Sequence, residues 1–223
     1  MKTVLITGAY RGLGLEVARQ LAARDHKIIL TARNRTIGQA AALSLPHATF
    51  LELDVTDSTS IARAAQQVTE LDVLINNAAI KANGDEDILR IPVELVAQTI
   101  ATNTLGALRV AQAFVPHLRH SRAGRIVNVS SSAGQFSGID AALPAYRISK
   151  AALNAATCTL AAALQPDHIA VNAVCPGWCR TEMGGPNATR SPEEGAADIV
   201  WLAADAPQEK TGLFWRDRQV IPW

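Results

Sequence analysis

Nothing in this chain is built for a metal cluster, a disulfide scaffold, a membrane span or a polyelectrolyte. Cysteine occurs three times, as Cys158, Cys175 and Cys179. That spacing suits no zinc site, and an odd number of thiols fits a reducing compartment better than a disulfide framework. No apolar run approaches the roughly 18 residues of a membrane span, and the N-terminus enters a strand pattern without an apolar signal core. The formal net charge of +1 leaves no electrostatic footprint for nucleic acid or a lipid surface. A Pro/Gly/Ser-rich linker is missing too, so 223 residues read as one domain spanning 1–223. The expectation is a cytoplasmic protein with no nucleic-acid, membrane or metal partner.

What is present is ample core material, 48% hydrophobic residues, arranged as strand patterns alternating with helix patterns. Thr3-Val4-Leu5-Ile6 begins the series. Lys27 to Ala32, Thr49 to Leu53, Val73 to Asn76, Arg125 to Ser130, Ile169 to Cys175 and Gly212 to Trp215 continue it. Such alternation requires crossover units, hence an α/β, Rossmann-like, doubly wound parallel sheet of seven strands with helices on both faces.

Between the first strand and its helix lies Thr7-Gly8-Ala9-Tyr10-Arg11-Gly12-Leu13-Gly14. A glycine-rich strand-to-helix turn lets backbone N–H groups and the positive helix end approach a pyrophosphate. Three glycines in seven residues also arise as plain turn punctuation, so the turn alone decides nothing. The second strand ends at Arg33, about twenty residues on, where a carboxylate would hold the ribose of NAD and an Arg welcomes the 2'-phosphate of NADP. Arg11 is placed to reach that phosphate from the other side. A solvated surface role is the alternative for both.

Tyr146 and Lys150 are four residues apart and share a helix face. A tyrosine titrates near about 10, and a neighbouring ammonium stabilises its phenolate. Alone, Tyr-x-x-x-Lys is a frequent accident of amphipathic helices. Together with the glycine turn, Asn76-Asn77-Ala78-Ala79, Asn103 and the strand-end serines Ser130, Ser131 and Ser132, in that order, the chain resembles the short-chain dehydrogenase/reductase family from end to end. The NADPH-dependent carbonyl reductase branch is the best likeness.

The resemblance implies that Tyr146 gives a proton to a substrate carbonyl oxygen as hydride arrives from NADPH, and that the reaction reverses with NADP+. It implies that Ser131, chosen by alignment on Val127-Asn128-Val129, bonds the same oxygen. Lys150 holds the nicotinamide ribose, and Asn103 combines a structural role with anchoring a relay water. Cofactor contacts carried over are Gly8, Tyr10, Arg11, Gly12, Leu13, Gly14, Arg33, Asp54, Val55, Asn77, Ala78 and Ala79, with Tyr146, Lys150, Pro176, Gly177, Cys179 and Thr181. Asp54 matches the position that meets the adenine amino group. Ala79 departs from the family's glycine and Cys179 from its usual aliphatic residue.

Gln135, Phe136, Ile139, Leu143, Trp178 and Met183 are expected to line an apolar pocket for a small hydrophobic aldehyde or ketone. Residues 180–192 form a candidate substrate lid, after which Ser191 caps and Pro192 starts a helix. Fifteen residues from Ser131 to Tyr146 leave no room for the insertion of monomeric carbonyl reductases. A homodimer or homotetramer through Ala107, Ala111, Phe114, Ala151, Ala155 and Ala162 is therefore open, unless these residues face the sheet. A dehydrogenase of one hydroxylated metabolite and a non-catalytic NADP(H) sensor stand as alternative functions. Asp85-Glu86-Asp87 reads as a solvated charge run, and His117 and His120 lack the further ligands of a zinc site.

Overall fold

The computed structural model describes all 223 residues. Strands are β1 (Thr3–Ile6), β2 (Lys27–Ala32), β3 (Ala48–Glu52), β4 (Val73–Asn76), β5 (Arg125–Val129), β6 (Ala170–Val174), β7 (Phe214–Arg216) and β8 (Gln219–Ile221). Helices are α1 (Gly12–Ala22), α2 (Arg35–Leu43), α3 (Ser58–Gln67), α4 (Val93–Ile100), α5 (Ala107–Leu118), α6 (Pro144–Leu164) and α7 (Pro192–Ala204). A π-helical turn, Ala101–Gly106, joins α4 to α5.

One sheet runs in the order β3-β2-β1-β4-β5-β6-β7-β8. The strand alternation sorts the core into two layers, as a period of two requires. Val4, Ile6, Ile28, Leu30, Val73 and Ile75 point to one face and meet Val17 and Leu21 of α1 and Ile199 of α7. Leu5, Leu74 and Ile126 point to the other and meet Ile61 of α3, Phe114 of α5 and Leu164 of α6. The strand order reverses between β1 and β4, and the crevice beyond their carboxyl ends is where doubly wound sheets bind ligands.

Two expectations change. The sheet has eight strands rather than seven: β8 pairs antiparallel with β7, after Asp217 and Arg218, both at positive φ. That conformation at two successive residues suits a two-residue hairpin. On the proposed dimer face, Ala107, Ala111 and Phe114 are buried in the core, so α5 turns them to the sheet; Ala155 and Ala162 are exposed and Ala151 is half-buried. Ser191 does cap α7, in a reciprocal capping box with Glu194 and with Pro192 at the helix start.

No helix is long and apolar enough to cross a membrane, and no group of three or more His, Cys, Asp or Glu is gathered for a metal.

Candidate active site

The glycine turn leaves β1 with Gly8 and Gly12 both at positive φ, a conformation glycine adopts without penalty. Gly14 serves packing instead, since a Cβ there would lie 2.4 Å from the Asn77 amide nitrogen and 2.9 Å from the Gly8 carbonyl. Asn77 clamps the turn by donating to the carbonyls of Thr7 and Gly8. Thr7 Oγ1 accepts from the amides of Asn77 and Ala78. Thr7 carried no functional signal in the sequence.

The first turn of α1 is left open. Its N-cap, Arg11, makes no side-chain cap, and the first helical bond is Leu15 N–H to the Arg11 carbonyl. By contrast Asn34, Asp57 and Ser191 close the starts of α2, α3 and α7. A helix end of uncapped N–H groups at the sheet's switch point fits the pyrophosphate of a dinucleotide. Beside it a cavity of about 90 Å³ is lined by Tyr10, Ala32, Arg33, Asn34 and Ile37. Arg33 is exposed and makes no ion pair, so its guanidinium is available to a phosphate in that cavity. Arg11 is engaged elsewhere: it stacks 5.2 Å from the Tyr10 ring centroid and pairs with Glu182, so it does not line the cavity.

Asp54, half-buried, accepts from the amide and hydroxyl of Thr56, and Val55 is buried against Gly106. Ala79 is half-buried, and the residue after it is held at both backbone groups: Asn103 accepts from Ile80 N–H at 2.8 Å and donates to its carbonyl at 2.9 Å. The same Asn103 amide donates to Ser149 Oγ on α6. Asn103 lies in a π-helical turn, a distortion common at functional sites.

Strand β5 delivers three serines with three fates. Ser130 is buried and hydrogen-bonded to Asn154. Ser132 is half-buried and opens a short 3-10 turn that Ser131 caps by accepting from Ala133 N–H. The Ser131 hydroxyl also acts on the Tyr146 phenol, favouring its charged form. Lys150 lies 5.5 Å from the Tyr146 ring centroid, 3% exposed, with Nζ donating to the Val129 carbonyl at 2.8 Å. Ser131, Tyr146, Lys150 and, through Ser149, Asn103 are thus brought together at the carboxyl edge of the sheet.

The electrostatics differ from expectation. Burial raises the Tyr146 phenol to about 12, and the Ser131 hydrogen bond only partly opposes it. Burial also brings the Lys150 ammonium down to about 8. The Tyr146 phenol therefore stays protonated at neutral pH, because desolvation of its charged form is the largest effect on it. Carbonyl reduction is expected to hold level from pH 6 to about 8 and to decline above that as Lys150 loses its charge, whereas alcohol oxidation should climb with pH. Profiles of kcat in both directions check this; a reduction limb centred near pH 6.5 would point to an imidazole instead.

Opposite the glycine turn, Pro176 is buried and Gly177 adopts positive φ. Thr181 arches over Gly12, its Cβ and methyl 3.6 Å from where a Cβ on that glycine would sit. Cys179 is a buried small filler: Gly195 of α7 packs so close that a Cβ there would lie 2.2 Å from Sγ, and burial pushes the thiol up. Residues 178–190 form a loop with a pinned base, Arg190 N–H bonding the Trp178 carbonyl and Arg180 N–H the Arg190 carbonyl.

Phe136, Ile139 and Trp178 are more than half exposed and Met183 is 38% exposed, an open apolar rim rather than an enclosed pocket. Leu143 takes a left-handed conformation before α6. The Gln135 amide is tied to the Pro222 carbonyl at 2.6 Å, and Trp223 stacks on Phe214 with ring centroids 5.4 Å apart. The larger cavity, about 350 Å³, lies away from this site between α1 and α7, and its Arg19 and Arg24 are already paired with Glu16 and Asp205.

Comparison with known proteins places the chain. The short chain dehydrogenase family model matches residues 2–191. The short-chain dehydrogenase anuI of Penicillium roqueforti is 36% identical, covering 98% of this chain and 95% of that protein. The NADPH carbonyl reductase 1 of Mus musculus is 30% identical, covering 98% and 97%; its alignment spans 274 positions, so this 223-residue chain lacks segments that the mouse enzyme has. Among solved structures, the NADPH-bound carbonyl reductase from chicken fatty liver superposes with a TM-score of 0.90 at 28% identity, over all of this chain and 94% of that one. With an uncapped glycine-turn helix facing a tyrosine, serine and lysine cluster over a doubly wound sheet, and a family match across most of its length, the chain belongs to the short-chain dehydrogenase/reductase family.

Proposed function

We propose that the protein is an NADPH-dependent reductase of hydrophobic aldehydes and ketones, with Tyr146 as proton donor. Family membership makes it an oxidoreductase, and carbonyl reductases among its relatives support the direction. The observation that carries the reading is the half-buried Tyr146 one helical turn from a buried Lys150, its ring 5.5 Å from that ammonium, with Ser131 acting on its phenol. The open end of α1 would hold the pyrophosphate, Arg33 the 2'-phosphate, and the loop from Pro176 to Thr181 the nicotinamide end. The bound cofactor supplies a hydride equivalent to the carbonyl carbon.

The chain's own part is polar. Ser131 and Tyr146 together position the carbonyl oxygen; Tyr146 then yields its proton to that oxygen as negative charge develops there. Lys150 stabilises the phenolate left behind, and its charge acts strongly because the group is desolvated. The apolar rim of Phe136, Ile139, Trp178 and Met183 favours a hydrophobic substituent on the carbonyl, with residues 180–192 serving as the lid.

Following NADPH and NADH oxidation at 340 nm against a panel of aliphatic, aromatic and charged carbonyls tests the reading. The expected result is turnover with NADPH that favours apolar carbonyls. Tight NADPH binding with no turnover on any of them would instead favour a cofactor-sensing role.

A further inference from the structure

Helix α6 starts without a cap of its own. Its N-cap is Leu143, in a left-handed conformation and with no side-chain hydrogen bond. Pro144 has no amide, and the first helical bond runs from Arg147 N–H to the Leu143 carbonyl. Two donors of the first turn remain, those of Ala145 and Tyr146. Both go to one carboxylate sixty residues away: Asp85 Oδ1 accepts from Ala145 at 2.7 Å and Oδ2 from Tyr146 at 2.9 Å. Asp85 is 1% exposed while Glu86 and Asp87 beside it are solvated.

We propose that Asp85 is a positioning residue for catalysis: its buried carboxylate fixes the backbone of Tyr146 and so aims the phenol at Ser131. This rests on the reductase reading given above. The grip has a second point, because the segment that carries Asp85 begins at Ile80, which Asn103 holds while also donating to Ser149. Ser149 Oγ in turn donates to the Tyr146 carbonyl at 2.7 Å. The loop after β4 thus holds both backbone ends of Tyr146, one directly and one through Asn103 and Ser149. Charged acceptors on helix-start amides are among the stronger hydrogen bonds, and small misplacements of a catalytic group carry large rate penalties.

Asp85→Asn keeps the size and one acceptor but sets an amide NH2 against a backbone N–H. It is expected to lower kcat by about tenfold or more while the KM for NADPH stays within about twofold, with Asp85→Ala lower still. The chain has two tyrosines, so ring-labelled protein gives two phenol carbon resonances, and Tyr146→Phe identifies which is which. Asp85→Asn should move the Tyr146 resonance and its alkaline titration and leave that of Tyr10 in place. A kcat within twofold of the parent, an unmoved Tyr146 resonance, or a parallel loss of NADPH affinity and melting temperature would each overturn the proposal. If Tyr146→Phe itself keeps full turnover, the assignment of Tyr146 as proton donor fails instead, and the resonance still decides what Asp85 does.

Discussion

Tyr146→Phe is expected to reduce kcat for carbonyl reduction by about 10²- to 10⁴-fold, the span that a positioned general acid contributes. The change removes one oxygen and little else. The ring stays packed against Lys150, 5.5 Å from its ammonium, and the Asp85 and Ser149 bonds to the Tyr146 backbone do not involve the phenol. Cofactor affinity should therefore hold within a few-fold, so the loss falls on kcat. Melting temperature should rise or hold, because a buried hydroxyl is exchanged for a hydrogen and only the Ser131 contact is lost. Steady-state kinetics with saturating NADPH provide the check. A variant retaining more than a tenth of the parent rate would assign the proton to another group, with water the obvious candidate. Ser131→Ala is the smaller companion, since it removes one of the two donors to the carbonyl oxygen and leaves the acid in place.

What could be read in advance was whatever lies close along the chain. The strand runs, the Ser191 and Pro192 helix start, and the four-residue step from Tyr146 to Lys150 are local patterns, and each appears in the structure within a residue or two. The glycines are similar, since the turn they form depends on their own backbone freedom. Asp85 was misread because its partners lie sixty residues on; a buried carboxylate and a solvated one look alike when adjacent acids disguise both. The Tyr146 titration was misjudged for a related reason. Sequence spacing reveals the neighbouring ammonium but not the enclosure around the phenol, and enclosure is the larger effect. Strand β8 escaped notice because three edge residues, mostly exposed, carry no apolar alternation. On α5 the stripe through Ala107, Ala111 and Phe114 was legible, but a stripe cannot say whether a sheet or a second subunit covers it.

Arg33→Asp should reverse the cofactor preference, the second large effect expected. A charge-assisted hydrogen bond contributes roughly 1.5 to 3 kcal/mol and each 1.4 kcal/mol is tenfold, so losing Arg33 alone weakens NADPH by about 10- to 150-fold. The new carboxylate both repels the 2'-phosphate and accepts from the ribose hydroxyls of NADH. The ratio of kcat/KM values for NADPH over NADH should then fall by about 10² to 10⁴. Arg11 contributes less than its position in the glycine turn suggests, because it is already paired with Glu182 and must exchange one anion for another. Both partners are more than half exposed, and such pairs contribute at most about 1 kcal/mol. Releasing Arg11 by Glu182→Gln is therefore expected to tighten NADPH, by up to about fivefold, and to leave NADH unchanged. The two substitutions act in opposite directions on the same phosphate. If Arg33→Asp leaves the preference intact while Arg11→Ala abolishes it, the phosphate is held from the glycine turn and not from the end of β2.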